Sequence, residues 1–251
     1  MIILKQFATI AADKLINEED GNVPKAELIG KQKATEFYIE QNMTALIRFL
    51  VMDYLQLSQD DLELWEDSPE EYMTEEKQEV WKYDVRPCSE VLLLSLVHNF
   101  QKILVPVLVS MVSEVQNVIL PKIDHSKVDF GAEIDQNCLI ADAVLNAIGL
   151  ASYELAEEVD FDSWFTSTLA PLAQQTKSKI LKRRVAWLLS QWVGVKFSGE
   201  LRPMLYKLLL GTIQSSTDIV VRLEAALALK ITIDDFSFES NQFQEFQGWI
   251  S

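Results

Sequence analysis

The chain has 251 residues, of which 49% are hydrophobic and 24% are charged, a balance that is typical of one large or two small folded domains and excludes a wholly disordered protein. Its 38 acidic and 22 basic residues give a net charge of −16, which disfavours nucleic acid as a partner, because phosphate binding needs concentrated Lys and Arg. Cys88 and Cys138 without a signal-peptide pattern lead us to expect a reducing compartment and no disulfide framework.

Most of the chain is predicted to be helical, because Gly and Pro number only eight and seven and no hairpin pattern occurs. The first helix signals lie at Met1–Asn17 and in an amphipathic segment at Ala34–Leu57. An acidic segment follows at Asp60–Glu79, where ten carboxylates and one lysine give a local charge of −9. This segment is either a solvated, flexible connection that Trp65 and Tyr72 attach to the body, or a surface for a basic partner.

Apolar helices resume after the acidic segment, at about 89–101 and 102–116. We interpret the apolar run Val91–Ser113 as two buried helices that meet near Pro106, because polar residues interrupt the roughly 20 apolar residues that a membrane span needs. A polar connection at Asn117–Gln136 comes next. A buried helix then follows at Ile140–Leu155, where apolar residues recur at helical spacing.

A repeat is visible in the last third of the chain. "WFTSTLAPLAQQ" followed by "ILKRRVAWLLSQWV" has the same order as "LRPMLYKLLLGTIQ" followed by "IVVRLEAALALKI": a helix with an early proline (Pro171, Pro203), a polar turn, and an apolar helix led by an arginine (Arg183, Arg222). Asp218 precedes the last of these helices and is predicted to be its N-cap.

Helix pairs that recur near forty residues predict an all-α HEAT-repeat α-solenoid, a superhelical stack of antiparallel helix pairs. A compact helical bundle is the alternative. In the solenoid, residues 1–58 form amino-terminal helices, 59–85 an acidic connection, 86–235 HEAT-type pairs, and 236–251 the start of a truncated next repeat. We expect that last part to fray or to expose an apolar patch, which is formed by Phe243, Phe246, Trp249 and Ile250.

No motif of an active site stands out in the sequence. Neither a Cys-x-x-Cys nor a His-x₃₋₅-His pair is present for zinc, and there is no phosphate-binding glycine loop or nucleophile elbow. We therefore expect no enzyme activity, no catalytic residue, no metal and no cofactor.

Two charged clusters remain as candidates for binding a protein partner, one in the acidic segment and one in the basic run "KSKILKRR". Their candidate partner-binding residues are Trp65, Glu66, Asp67, Glu70, Glu71, Lys182, Arg183 and Arg184. The alternative for the basic run is that its cations neutralise nearby carboxylates.

At "YDVRPCSEVL", "LASYELAEEVDFDSWF", "RRVAWLLSQWVGVKFSGELRPMLY" and "VVRLEAALALKITIDDFSF" the chain resembles the importin-beta (karyopherin) superfamily of nuclear transport receptors, over roughly Leu57–Gln247. The likeness is to an internal fragment of a longer HEAT-repeat receptor. In that family an aspartate often lies six residues before the arginine of the second helix and forms a polar ladder between repeats. Ser216 occupies this place here, so the pattern does not predict a continuous ladder, and Arg222 is expected to pair with the preceding repeat or to stay partly solvated.

The resemblance implies protein cargo, including basic cargo, and contact with nucleoporin Phe-Gly repeats. It implies that the Ran GTPase binds mainly through regions outside this chain, and that the protein is found in cytoplasm and nucleus and in transit through the nuclear envelope. No nucleic-acid binding and no membrane insertion are expected. The alternative is a stand-alone HEAT-repeat scaffold or adaptor without transport activity.

Overall fold

Helices and the turns between them make up the described part of the computed structural model, which covers residues 40–75, 84–128 and 134–249, with no strand in those ranges. The helix predicted at Met1–Asn17 lies outside these residues. The helices are α1 (Glu40–Phe49), α2 (Gln59–Asp67), α3 (Pro69–Glu75), α4 (Val85–Asn99), α5 (Gln101–Glu114), α6 (Gln136–Leu150), α7 (Ser152–Leu155), α8 (Phe161–Trp164), α9 (Ala170–Gln175), α10 (Lys179–Trp192), α11 (Arg202–Ser215), α12 (Ile219–Asp234) and α13 (Ser240–Phe243). Turns of π-helix extend α1 over Leu50–Tyr54, extend α5 over Val115–Ile119, and join α8 to α9 over Phe165–Leu169.

Four helix pairs stack in two layers within these residues. The first helices of the pairs are α1, α5, α8 with α9, and α11, and the second helices are α4, α6, α10 and α12. Neighbouring second helices pack directly on one another, as do α11 and α12 within their pair. One continuous apolar core runs from Met43 to Phe246. The predicted HEAT-type solenoid is therefore confirmed over the compact bundle, because each pair buries its apolar faces against its neighbours.

The break between α4 and α5 agrees with the predicted helix bounds of about 89–101 and 102–116, but not with the expectation that the two helices meet near Pro106. It falls at Phe100, whose backbone leaves the helical region, and Pro106 lies inside α5. A proline in a helix frees the carbonyl four residues earlier, here that of Lys102. Pro106 and Lys102 are both exposed, so water can bind that carbonyl and the helix continues.

The helix α5 is also longer than predicted. Its π-helical extension and a 3₁₀ turn at Leu120–Lys122 occupy the start of the connection that was expected at Asn117–Gln136. The whole helical stretch Gln101–Lys122 is long and apolar enough to cross a membrane by length and composition alone. Here it packs against α1, α4 and α6, which is the position of a core helix.

The register of the last two pairs is shifted by one residue from the predicted repeat. The N-caps of α10 and α12 are Ser178 and Asp218, which makes Arg222 the counterpart of Lys182 and not of Arg183. The two prolines differ as well. Each proline is in the first turn of a helix, Pro203 in α11 and Pro171 in α9. However, α9 continues α8 through a π-helical turn, so Pro171 lies late in the first helix of its pair.

The final turn of the chain contradicts the expected exposure of its aromatic side chains. Phe243 and Phe246 are 8% and 4% exposed, because both fold back onto Tyr206 of α11, with ring centroids 4.9 and 6.0 Å away. The side chains of Trp249 and Ile250, also expected to be exposed, lie outside the described part of the chain.

Candidate partner-binding surface

Residues 58–75, which we call the acidic strap, include most of the acidic segment and form two short helices that cross the solenoid; residues 76–79 of that segment lie outside the described part of the chain. Ser58 begins α2 with a capping box: its hydroxyl accepts from the backbone N–H of Asp61, and the Asp61 carboxylate accepts from the Ser58 N–H. The two reciprocal bonds satisfy backbone donors that a helix start leaves open. The strap is thus helical over Gln59–Asp67 and Pro69–Glu75, whereas a solvated, flexible connection was one of the two expectations.

Two aromatic side chains attach the strap to the second-helix layer. Trp65 and Tyr72 are each 1% exposed. The indole N–H of Trp65 donates to the Asp218 carboxylate, with both oxygens at 3.2 Å. The guanidinium of Arg183 lies 5.9 Å from the Trp65 ring and 5.4 Å from the Tyr72 ring, within the range of cation–π attraction.

The strap contacts the amino-terminal turns of the second helices. Asp61 pairs with Arg86 at the start of α4, at 3.2 Å. The apolar side of the strap packs in a cluster separate from the main core, together with Leu139 of α6, Ile180 of α10 and Val220 of α12. Helix amino termini carry partial positive charge, so this location favours an acidic segment.

The opposite side of the strap is a row of solvent-facing carboxylates. Glu66, Asp67, Glu70 and Glu71 are all exposed, and none has an ion-pair partner among the described residues. Residues 58–75 hold eight carboxylates and no Lys or Arg, so this face presents concentrated negative charge to solvent.

The structure separates the predicted partner-binding residues into two groups. Trp65, Arg183 and Arg184 are 1%, 1% and 2% exposed, so a partner cannot contact them while the strap lies in this position. Lys182 is half-buried. Together with the four exposed carboxylates it remains available to a partner.

A polar ladder links the second helices, although Ser216 replaces the usual aspartate. Arg184 donates to both oxygens of Asp142, at 2.7 and 3.2 Å, and to the side-chain oxygen of Asn146 at 2.8 Å. The amide of Asn146 in turn donates to Glu90 of α4 at 2.8 Å. This ladder connects α4, α6 and α10 through buried groups.

The ladder continues to the last pair through the other arginine of α10. Arg183 lies 3.4 Å from the Glu224 carboxylate, and Lys179 lies 3.1 Å from that of Asp218. Sequence reasoning missed Asp142 and Asn146, although a polar pair four residues apart on the apolar helix "NCLIADAVLNAIGL" was a usable signal, because buried polar groups require partners.

The two residues singled out in α12 have different outcomes. Asp218 accepts from the Val221 N–H at 3.0 Å, which confirms its predicted capping role, and it also accepts from Trp65. Arg222 is exposed and donates to the Ile213 carbonyl of α11, at 3.1 Å. Arg222 therefore stays partly solvated, the second of the two expectations, and its bond is within its own repeat and not with the preceding one.

A groove of about 240 Å³ separates two neighbouring first helices on the other layer. Val109 and Val112 of α5 form one wall, and Trp164 of α8 forms the other. Gln116 bridges the two walls by donating to Thr168 at 3.0 Å. The rest of the lining is largely polar and includes Glu158 and Asp160, and the indole N–H of Trp164 is buried away from solvent.

Fold and ladder together define a class of protein, the α-solenoid of HEAT-type helix pairs, whose stacked repeats offer long surfaces to protein partners. No protein-family model matches the chain. It is 42% identical over 211 residues to human Importin-11 and 31% identical over 217 residues to the Importin beta-like protein KAP120 of Saccharomyces cerevisiae, which covers 82% and 84% of this chain. These alignments span 20% of each relative, so the chain corresponds to about a fifth of their length.

The solved structure of Lph2, described as a bidirectional nuclear transport receptor in S. cerevisiae, superposes with a TM-score of 0.77 at 28% identity. The superposition covers 99% of this chain and 24% of Lph2. The chain belongs to the importin-beta family and matches a segment of its members. These relatives are named as importins or transport receptors and not as enzymes.

Proposed function

We propose that this chain is a segment of a nuclear transport receptor that binds protein cargo for Ran-dependent passage through nuclear pores. The likeness to Importin-11 over four fifths of the chain carries this proposal. The fold supports it because a stack of helix pairs supplies an extended surface for a protein partner. The receptor shuttles between cytoplasm and nucleus, and Ran binds mainly through regions outside this chain.

Cargo binding is proposed for the exposed face of the acidic strap, where Glu66, Asp67, Glu70 and Glu71 would meet a basic segment. A variant in which these four residues are replaced by Gln should bind a labelled Lys/Arg-rich peptide about fivefold more weakly or worse, since each exposed pair contributes up to about 1 kcal/mol. Its affinity should also depend less on salt, because fewer charges are screened.

The matched control makes the same change in net charge away from the strap, at four exposed glutamates of the connecting turns: Glu157, Glu158, Glu200 and Glu239. Its binding and salt dependence should stay close to those of the unmodified chain. Equal weakening by both variants would mean that net charge alone attracts the peptide, and the strap would lose its role in cargo binding.

Nucleoporin Phe-Gly repeats are the partner proposed for the groove between α5 and α8. Val109, Val112 and Trp164 offer apolar contact to a phenyl ring, and the serine hydroxyls and carboxylates in the rest of the lining can hydrogen-bond a peptide backbone. Replacing the exposed lining residue Ser113 by Trp should fill the groove and abolish binding of a Phe-Gly peptide, whereas Thr166→Trp on an exposed turn outside the lining should not. Equal binding by both variants would exclude this groove.

The transport proposal is separated from a plain scaffold by a chimeric receptor. This chain replaces the matching segment of human Importin-11, and nuclear accumulation of that receptor's cargo is measured in permeabilised cells. Restored accumulation, lost again in the four-Gln variant, is the expected result. A chimera that folds and binds cargo but never crosses the pore would favour the scaffold.

A further inference from the structure

The surface beneath the acidic strap has the features of a binding groove that already contains a ligand. Its floor is apolar, with Ile180, Val220 and Val221 each 0% exposed beneath the strap. Polar groups lie at fixed places along it: the Asp218 carboxylate accepts the indole N–H, and the Arg183 guanidinium lies against both aromatic rings. An apolar cleft with a few placed polar groups is the usual form of a recognition site.

Groups outside the strap hold this groove in shape. Arg183 is positioned by Glu224, at 3.4 Å, and Asp218 is held both by the Val221 N–H and by Lys179. These contacts lie within α10 and α12, so they persist when the strap leaves. A site whose groups are already oriented binds without the cost of ordering them.

The strap is attached to the stack through a small apolar cluster of its own. Its helices have nine and seven residues, below the roughly 12–15 that an isolated helix needs. Its apolar residues form a small cluster separate from the continuous core. Eight carboxylates with no cation among them repel one another in residues 58–75, which opposes compact docking. Elements of this kind open locally while the rest of a protein stays folded.

We infer that the groove at the amino-terminal turns of α10 and α12 is a recognition site for an acidic amphipathic helix with two aromatic residues seven positions apart, and that the strap occupies it in cis. A partner segment of the same chemistry reaches the groove by displacing the strap. This inference is independent of the transport proposal, because it concerns the buried side of the strap and not its exposed carboxylates.

The test uses a labelled peptide with the sequence of residues 56–75 and two forms of the chain. The unmodified chain should not bind it detectably, because the tethered strap competes at an effective concentration in the millimolar range. The variant Trp65→Ala with Tyr72→Ala should bind it at least tenfold more tightly. A peptide that carries the Trp65→Ala change should lose this binding.

Other outcomes would overturn the inference. No binding by the variant means that the groove does not recognise this chemistry, and equal binding by both forms means that the peptide binds elsewhere. If the variant bound a Lys/Arg-rich peptide more tightly than the acidic peptide, the groove would recognise a basic partner and the inference would be wrong. Circular dichroism checks that the variant keeps its helices.

Hydrogen exchange of the unmodified chain tests displaceability without any substitution. Amides in α2 and α3 should exchange at least tenfold faster than those in the middle of α10, because the strap opens without unfolding the stack. Equal protection would mean that the strap leaves only on global unfolding, and a partner could then never reach the groove.

Discussion

The buried ion pair between Arg184 and Asp142 gives the sharpest test of the polar ladder. The two side chains are 2% and 0% exposed and meet in a bidentate contact at 2.7 and 3.2 Å. Replacing Asp142 by Ala leaves a buried guanidinium with Asn146 as its remaining ladder contact. Removing one partner of a buried pair costs about 3–5 kcal/mol, a large part of the roughly 5–15 kcal/mol by which whole domains are stable.

Urea unfolding followed by the helical circular dichroism signal measures this loss. With a slope of about 1–3 kcal/mol per molar urea, the midpoint of the Asp142→Ala variant should fall by about 1 M or more. The matched control is Asp234→Ala, which breaks a solvent-exposed ion pair. In that pair the side chain of Lys230 is 70% exposed and that of Asp234 is 62% exposed. Asp234→Ala should lower the free energy of unfolding by at most about 0.5 kcal/mol.

A second variant separates charge burial from packing. Replacing Asp142 by Val together with Arg184 by Met removes both charges with little change in volume, and such replacements are often neutral or stabilising. The midpoint should therefore recover most of the loss, the remainder being due to the buried side-chain oxygen of Asn146, which no longer accepts from Arg184. Coincident midpoints for Asp142→Ala and Asp234→Ala would refute the argument that a desolvated charge is left behind.

Three further predictions concern single positions. Gly149→Ala should destabilise the fold by about 1–3 kcal/mol through overpacking, because the added Cβ would lie 2.3 Å from the Trp187 ring. Gly211→Ala, whose added Cβ would meet nothing within 4 Å, should stabilise α11 by up to about 1 kcal/mol. Urea midpoints that shift in the same direction for both variants would contradict this. Burial raises the pKa of Tyr206, so its hydroxyl ionises at lower pH in the unfolded state than in the folded state. The stability that this difference contributes is present below about pH 10 and is lost as the pH rises toward the folded-state pKa. Tyr206→Phe should make this alkaline loss smaller, and an unchanged profile of the urea midpoint against pH would argue against the prediction. Asp218→Ala should lower the free energy of unfolding by more than the roughly 1 kcal/mol that a helix cap contributes, and it should speed hydrogen exchange in α2. Asp218→Asn is the control, because it keeps the cap. An effect of Asp218→Ala that is confined to α12 would mean that the Trp65 contact contributes little.

The sequence by itself determined the features that depend on neighbours along the chain. Helical spacing of apolar residues identified the helix after Gln136, the recurrence near forty residues indicated paired helices, and Asp218 was recognisable as a cap. These features are local, because helix periodicity and capping involve residues within a few positions of each other.

The tertiary structure decided which polar residues are buried. "KSKILKRR" has the composition of a solvated basic run, yet Arg183 and Arg184 face neighbouring helices, where Glu224 and Asp142 compensate their charges. The partners are 41 and 42 residues away in the sequence. Composition cannot reveal such a pairing, because the cost of burying a charge depends on which groups the fold brings beside it.

The strap is the clearest case of long-range determination. Its carboxylates suggested a solvated connection or a binding surface, and its ends gave no indication of where it would lie. Trp65 meets Asp218 across 153 residues of sequence, a contact that exists only because four helix pairs stack and align the starts of their second helices. The sequence determined that the segment is acidic and carries two aromatic residues, and the stacked solenoid determined that one side is buried and the other faces solvent.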